Sequence, residues 1–199
     1  MSRKARKYII APNSFYHIVS RGNNQRRIFR SGRDYKKFLN ILEKTKKKYP
    51  FCLYSYNLLP NHYHLGIETQ EIPVSKIMHQ INSTYVKYFR RRYGGVGHLF
   101  QGRFFSALVV KDLYFWALVR YIDLNAVEAV LVKKPEDYPW SSYSIYCQKD
   151  YSGKLIDRER FLRYGDENLE QSRLSYLRFI QEETKSKEKP PFSLSENML

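Results

Sequence analysis

The chain has 199 residues, 43% of them hydrophobic, which is enough for one good core with appendages and argues against two full domains. With 35 Lys and Arg against 19 Asp and Glu, the formal charge is +16 and the pI near 9.8, so a polyanion is the expected partner, nucleic acid before an anionic membrane. No stretch approaches the roughly 20 apolar residues of a spanning helix, and the basic start has no apolar signal core behind it, so a cytoplasmic protein without membrane insertion is expected.

In chain order, Arg3, Lys4, Arg6 and Lys7 form a basic arm suited to a phosphate backbone, with Arg3 and Arg6 as candidate DNA contacts. The run 15–20 is rich in β-formers and ends near Gly22, which predicts a first strand containing His17. From Asp34 to Lys48, Tyr35, Phe38, Leu39, Leu42 and Thr45 recur at helical spacing, and Pro50 stops the helix. Runs 51–59 and 62–69 flank Pro60-Asn61 and predict an antiparallel hairpin. From Val74 to Tyr93 an amphipathic helix ends in Arg90-Arg91-Arg92 and Gly94-Gly95. Its basic residues, among them Lys87 and Arg90, alternate with tyrosines on which unpaired bases can stack. A fourth strand at 104–110 and a third long helix at 111–130 follow. The order βαββαβ-α specifies an α+β, ferredoxin-like antiparallel sheet with helices on one face, plus C-terminal helices, and it makes the first and third strands neighbours. A final helix is expected at 168–183 and a mobile tail over 185–199. The domain plan is a basic arm at 1–13, a main domain at 14–147, a helical extension at 148–184 and the tail. Cys52 and Cys147 lack paired spacing, so neither a zinc knuckle nor a disulfide framework is expected.

Within the hairpin, His62 and His64 flank one apolar residue on a predicted strand, so both imidazoles point to the same face about 7 Å apart. Neutral imidazole is a metal ligand, and its ordinary pKa near 6.5 leaves it ready at cellular pH. In the third helix, Tyr121 and Asn125 lie one turn apart on one face. They are a candidate nucleophile and a candidate oxygen ligand completing a site with the two histidines. Tyr114 is the rival tyrosine on that face, but its partner one turn on is Leu118.

From about Tyr16 to Tyr143 the chain resembles the REP-associated tyrosine transposases, a branch of the single-tyrosine HUH endonucleases. The residues that carry the likeness are collinear: His17 to Gly22, Phe29, Asp34-Tyr35, Leu59-Pro60-Asn61-His62-Tyr63-His64-Leu65, Gly97 to Phe104, Arg120-Tyr121-Ile122-Asp123-Leu124-Asn125 and Tyr138 to Tyr143. The resemblance implies a transposase that nicks and rejoins single-stranded or hairpin DNA through a covalent 5′-phosphotyrosine. It also implies that Mg²⁺ or Mn²⁺ is held by His62, His64 and Asn125, with Tyr121 as nucleophile. Arg21, Lys87, Arg90, Arg103 and Arg120 join the arm as expected DNA contacts. Where the family has Pro and then a basic residue after the helix Asn, this chain has Ala126 and Glu128, so a phosphate contact is expected to be missing. Relatives work as dimers or monomers, and the chain is compatible with either. The competing reading is a noncatalytic binder of single-stranded or hairpin DNA derived from such an enzyme. An RNA-recognition module shares the element order, but the third strand carries histidines in place of the aromatic signature.

Overall fold

The computed structural model describes residues 13–109 and 111–183, so the basic arm with Arg3 and Arg6 and the tail at 185–199 lie outside the described residues. Strand β1 (Phe15–Arg21) is followed by helix α1 (Gly32–Lys48), the hairpin β2 (Phe51–Leu58) and β3 (His62–Thr69), helix α2 (Val74–Tyr93), strand β4 (Phe105–Val109) and helix α3 (Lys111–Glu128). Three more helices complete the described chain: α4 (Tyr143–Cys147), α5 (Arg158–Leu162) and α6 (Leu169–Glu183). The sheet is antiparallel in the order β2-β3-β1-β4, so the first and third strands are neighbours, as the ferredoxin-like order requires.

The hairpin forms because Pro60-Asn61 cannot extend either strand and closes a short turn in which the Leu59 amide donates to the His62 carbonyl at 2.9 Å. Its tip is then pinned from outside: Ile28 and Phe29 donate to the Pro60 carbonyl, and Gly22 donates to that of Asn61 at 2.7 Å. Gly22 has to be glycine here, because a Cβ would collide with the Arg26 carbonyl.

One sheet face carries Tyr16, Ile18, Tyr63 and Leu65 and is covered by α1 and α2, with Phe38 against Tyr63 at 4.7 Å and Tyr85 at 5.2 Å between ring centres. Asp34 fastens those helices together. It caps α1 by accepting from the Arg30 and Ser31 amides and accepts from Tyr88 and Tyr93 of α2. Burial alone would raise its pKa, and these hydrogen bonds outweigh that and hold it below the ordinary value.

The opposite face carries Phe15, His17, Val19, Arg21, His62, His64 and Gly66, paired across β1 and β3 as His17 with Gly66, Val19 with His64 and Arg21 with His62. Helix α3 lies over it: Ile122 Cδ1 sits 3.4 Å from where a Gly66 Cβ would stand, and Phe115 packs edge-on to Phe15 at 4.9 Å. Apolar residues surround α3 on all sides because it is an interior helix, with the sheet beneath and the C-terminal helices above. Trp116 stacks on Phe161 of α5 and meets Tyr176 of α6. Phe161 and Tyr176 are fully buried, so the C-terminal helices share the main core.

The exposed edge of β2 is closed by the segment 138–142. Leu58 donates to the Trp140 carbonyl, Ser142 to that of Tyr56, and Tyr138 Oη to that of Leu58. Trp140 stacks on Tyr35 at 4.5 Å. Farther along, the Asp157 amide and carboxylate pair with Leu53. Cys52 and Cys147 are unpaired, and no helix among the described residues is long and apolar enough to cross a membrane.

Candidate functional site

Strand alternation puts His62 and His64 on the α3 side of the sheet with ring centres 5.0 Å apart. The neighbouring strand adds His17, whose ring stacks on His64 at 5.2 Å and whose Nε2 lies 2.9 Å from His64 Nδ1. His62 Nδ1 is held 2.7 Å from Asn61 Oδ1. In both hairpin histidines the Nδ1 is thus engaged, and Nε2 is the nitrogen left to bind something else. That of His64 is buried without a hydrogen-bond partner. With His64 Nδ1–H donating to His17 Nε2, the His64 Nε2 lone pair is available; with the roles reversed it is the His17 Nδ1 lone pair, and both of these nitrogens are buried without a hydrogen-bond partner.

Burial keeps all three rings neutral. It pushes the His17 pKa down to about 3 and that of His62 to about 4, the latter with help from the adjacent Arg21 charge. His64 falls well below its ordinary value, by burial first and then by its two imidazole neighbours. Neutral imidazole is the ligating form.

Helix α3 supplies the rest. The Tyr121 ring stands edge-on to His17 at 5.6 Å and to His64 at 5.9 Å, and Tyr121 and Asn125 are both nearly buried. The Asn125 amide donates to the Tyr121 carbonyl at 2.6 Å, so its Nδ2 is committed and its Oδ1 is the atom with coordinating capacity. The Tyr121 pKa is raised, by burial and then by the Glu128 carboxylate two turns on, while the Asn125 side chain lowers it. A phenolate is therefore disfavoured unless positive charge arrives, and Glu128 acts on the phenol. Among the described residues no group of three or more His, Cys, Asp or Glu is disposed to hold a metal, so a metal here would rest on two imidazoles and one carboxamide.

Sequence reasoning missed what holds α3 in place. Asp123, fully buried, accepts from Ser55 of β2 and from Ser142, each at 2.8 Å, and from Tyr176 of α6 at 2.9 Å. Asn57, paired with His64 across the hairpin, donates to the Ile122 carbonyl at 2.8 Å. These bonds set the rotation of the helix between Tyr121 and Asn125. The available signal was a lone carboxylate in the apolar run Tyr121-Ile122-Asp123-Leu124, together with the paired serines 141 and 142.

The helix ends in a Schellman arrangement, with Leu131 donating to the Ala126 carbonyl and Val130 to that of Val127. Val130 takes the left-handed position at φ 55, where glycine is normal and a β-branched residue is strained. The turn lays Leu131 against a cleft of about 430 Å³ that is also lined by Val19, Arg21, Gln25, Arg27, Leu59, Pro60, Asn61, His62 and Ala129.

The sequence-predicted DNA contacts are dispersed. Arg21 is beside His62. Arg103 is exposed, in a loop whose Gln101 amide donates to the Arg21 carbonyl at 2.8 Å. Lys87 and Arg90 lie on α2, across the sheet from the histidines, and Arg90 donates to the Gly97 carbonyl. Arg120 turns away from the site and lies over the Phe179 ring of α6 at 3.7 Å.

No curated protein matches the chain. Among solved structures, a REP-associated tyrosine transposase bound to a REP hairpin is similar with a TM-score of 0.63 at 21% identity, covering 79% of this chain and 94% of that one. A putative transposase from Deinococcus radiodurans R1 gives a TM-score of 0.43 at 13% identity, over 62% of this chain and 97% of that one. The first likeness speaks for the fold. The family model for IS200-like transposases matches residues 11–125, more than half of the chain, beginning just before β1 and ending on Asn125. The match takes in the sheet, the histidine hairpin and the tyrosine turn of α3, and the chain belongs to the IS200-like transposase family.

Proposed function

We propose that this transposase nicks and rejoins single-stranded DNA with Tyr121 as its nucleophile, and that residues 14–147 form the catalytic domain with 148–184 as its helical support. The observation that carries the reading is the buried, unpartnered Nε2 of His64, whose Nδ1 is fixed by His17 and whose ring faces Tyr121. A ring oriented through its other nitrogen is the usual state of a metal-binding histidine. His62 Nε2, His64 Nε2 and Asn125 Oδ1 would hold Mg²⁺ or Mn²⁺, a donor set with two imidazoles that suits Mn²⁺ well. A divalent ion there supplies charge to a scissile phosphate and to the developing oxyanions.

The chain's own residues do the remainder. Tyr121 Oη forms a bond to phosphorus, the bond to the 3′-oxygen breaks, and the phenol proton leaves to solvent while the 3′-oxygen takes one up. The resulting 5′-phosphotyrosine conserves the bond energy of the phosphodiester, so a later 3′-hydroxyl reseals the strand by the reverse displacement. Arg21, paired with His62 across β1 and β3, would contact the backbone beside the scissile phosphate. A DNA hairpin is the proposed substrate, because the similar solved transposase is bound to one and this chain carries a charge of +16.

The test incubates the full chain with single-stranded DNA bearing host palindromic hairpins, with Mg²⁺ or Mn²⁺, and looks for an adduct that survives denaturing electrophoresis. An adduct lost in Tyr121→Phe supports the assignment, and one retained by Tyr121→Phe moves the nucleophile elsewhere. Tight, salt-sensitive binding without any adduct makes the protein a binder.

A further inference from the structure

We infer that the cleft between the hairpin tip and the end of α3 is a nucleotide subsite that receives the base and 5′-phosphate of the nucleotide left with the new 3′-hydroxyl. This rests on the nicking reading above and adds to it the part of the DNA that this surface grips.

Three features converge there. The cleft is of the size that takes one small ligand, about 430 Å³, and it abuts His62 directly. Its walls are apolar, with Val19, Leu59 and Pro60 facing Leu131, which is 43% exposed, while Arg21 and Arg27 stand at its edge with Gln25 and Asn61. Apolar walls with two guanidinium groups complement a planar base attached to a phosphate, and guanidinium pairs with phosphate in bidentate fashion. On the α3 side Ala129 and Leu131 line the cleft, and Leu131 follows directly on the left-handed backbone of Val130. A strained residue at φ 55, itself 88% exposed and therefore gaining little from packing, is retained at the turn that carries Leu131 to the cleft.

Displacement geometry selects the nucleotide. Attacking and leaving oxygens lie roughly in line through phosphorus. The Tyr121 ring stands on the His17 and His64 side, whereas the cleft opens on the His62 side. When the Tyr121 Oη–P bond forms and the P–O3′ bond breaks, the leaving 3′-oxygen and its nucleoside therefore lie toward the cleft. Arg21 falls near the scissile phosphate and Arg27 near the next phosphate in the 5′ direction.

The test titrates the full chain in EDTA with each of the four 2′-deoxynucleoside 3′,5′-bisphosphates, followed by calorimetry and by NMR of the Leu and Ala methyls, with inorganic phosphate as the probe that lacks a base. At least one bisphosphate is expected to bind about tenfold or more tighter than phosphate, and Leu131→Asp and Arg27→Ala, both at exposed positions, are each expected to weaken it by about fivefold or more. Bisphosphates that bind no better than phosphate, or equally well to both variants while their melting temperatures match the parent, overturn the subsite. The adduct assay separates the two readings. An adduct formed by Leu131→Asp with unchanged kcat and KM overturns the subsite and leaves the nickase standing. Bisphosphate binding as expected with no adduct on any hairpin supports nucleotide binding in the cleft and overturns the nickase, and with it the assignment of the bound nucleotide to the new 3′ end.

Discussion

Asp123→Asn keeps the shape of the side chain and deletes its charge at the point where β2, α3, the 138–142 segment and α6 meet. Two effects oppose each other in the parent. Burial pushes the carboxyl up to about 7, and the hydroxyls of Ser142, Ser55 and Tyr176 pull it back only in part. The folded protein therefore binds this proton more tightly than the unfolded chain, whose Asp titrates near 3.8. The stability contributed by the neutral acid is complete at low pH and is lost as pH rises through the window from 3.8 to about 7. Each pH unit inside that window is worth ~1.4 kcal/mol, so between about pH 5 and pH 8 the parent should lose roughly 2 to 3 kcal/mol relative to the Asn variant, which has nothing to titrate. Urea unfolding of both proteins at both pH values, in EDTA, measures this, and taking the difference cancels the histidines they share. A difference that stays flat, or that grows in favour of the parent as pH rises, would refute the reasoning. It would mean that the three hydroxyls hold a charged carboxylate against the cost of burial.

Removing the Nδ1 partner of His64 with His17→Ala should lower Mn²⁺ affinity by about 10- to 100-fold while Tyr121 and the three proposed ligands remain, and calorimetry showing unchanged affinity would deny His17 an orienting role. Metal-free protein should lose stability on acidification from about pH 7 to pH 5. The depressed histidines stay neutral in the fold while the unfolded chain takes up protons, which costs ~2 kcal/mol at each of His17 and His62, with a further loss at His64, and exceeds the ~2 kcal/mol regained at Asp123. Urea midpoints that rise toward pH 5 would contradict this. Glu128→Arg replaces the charge that raises the Tyr121 pKa and should speed adduct formation several-fold in single-turnover assays, whereas an unchanged or slower rate would separate Glu128 from the phenol. Val130→Gly relieves a left-handed β-branched residue at a helix end and should stabilise the protein by ~1 kcal/mol in thermal unfolding; a lower melting temperature would show that the strain is not real.

The repeating patterns of local structure were legible in the residues themselves. The bounds of β3 and α2 and the common face of His62 and His64 follow from periods of two and 3.6, which backbone geometry imposes on any such sequence. Tyr121 and Asn125 share a face for the same reason, and the strand order that brings β1 beside β3 follows from the succession of elements. What no local pattern encodes is which side chains meet once the chain closes. His17 and His64 are 47 residues apart, and Asp123 reaches Ser55 across 68 and Tyr176 across 53. Those bonds depend on strand register and on how α3 is rotated over Gly66, and a one-residue slip in either would dissolve them. The 138–142 segment resembled the family by its letters alone, and only the fold made it the cover of the β2 edge. Val130 is the sharpest case. Its sequence argues against a left-handed helix end, and the closing bonds to Ala126 and Val127 overrule that preference because the rest of the helix is already held. Sequence thus determined which groups could act, and tertiary packing decided which nitrogen, which oxygen and which cleft they present.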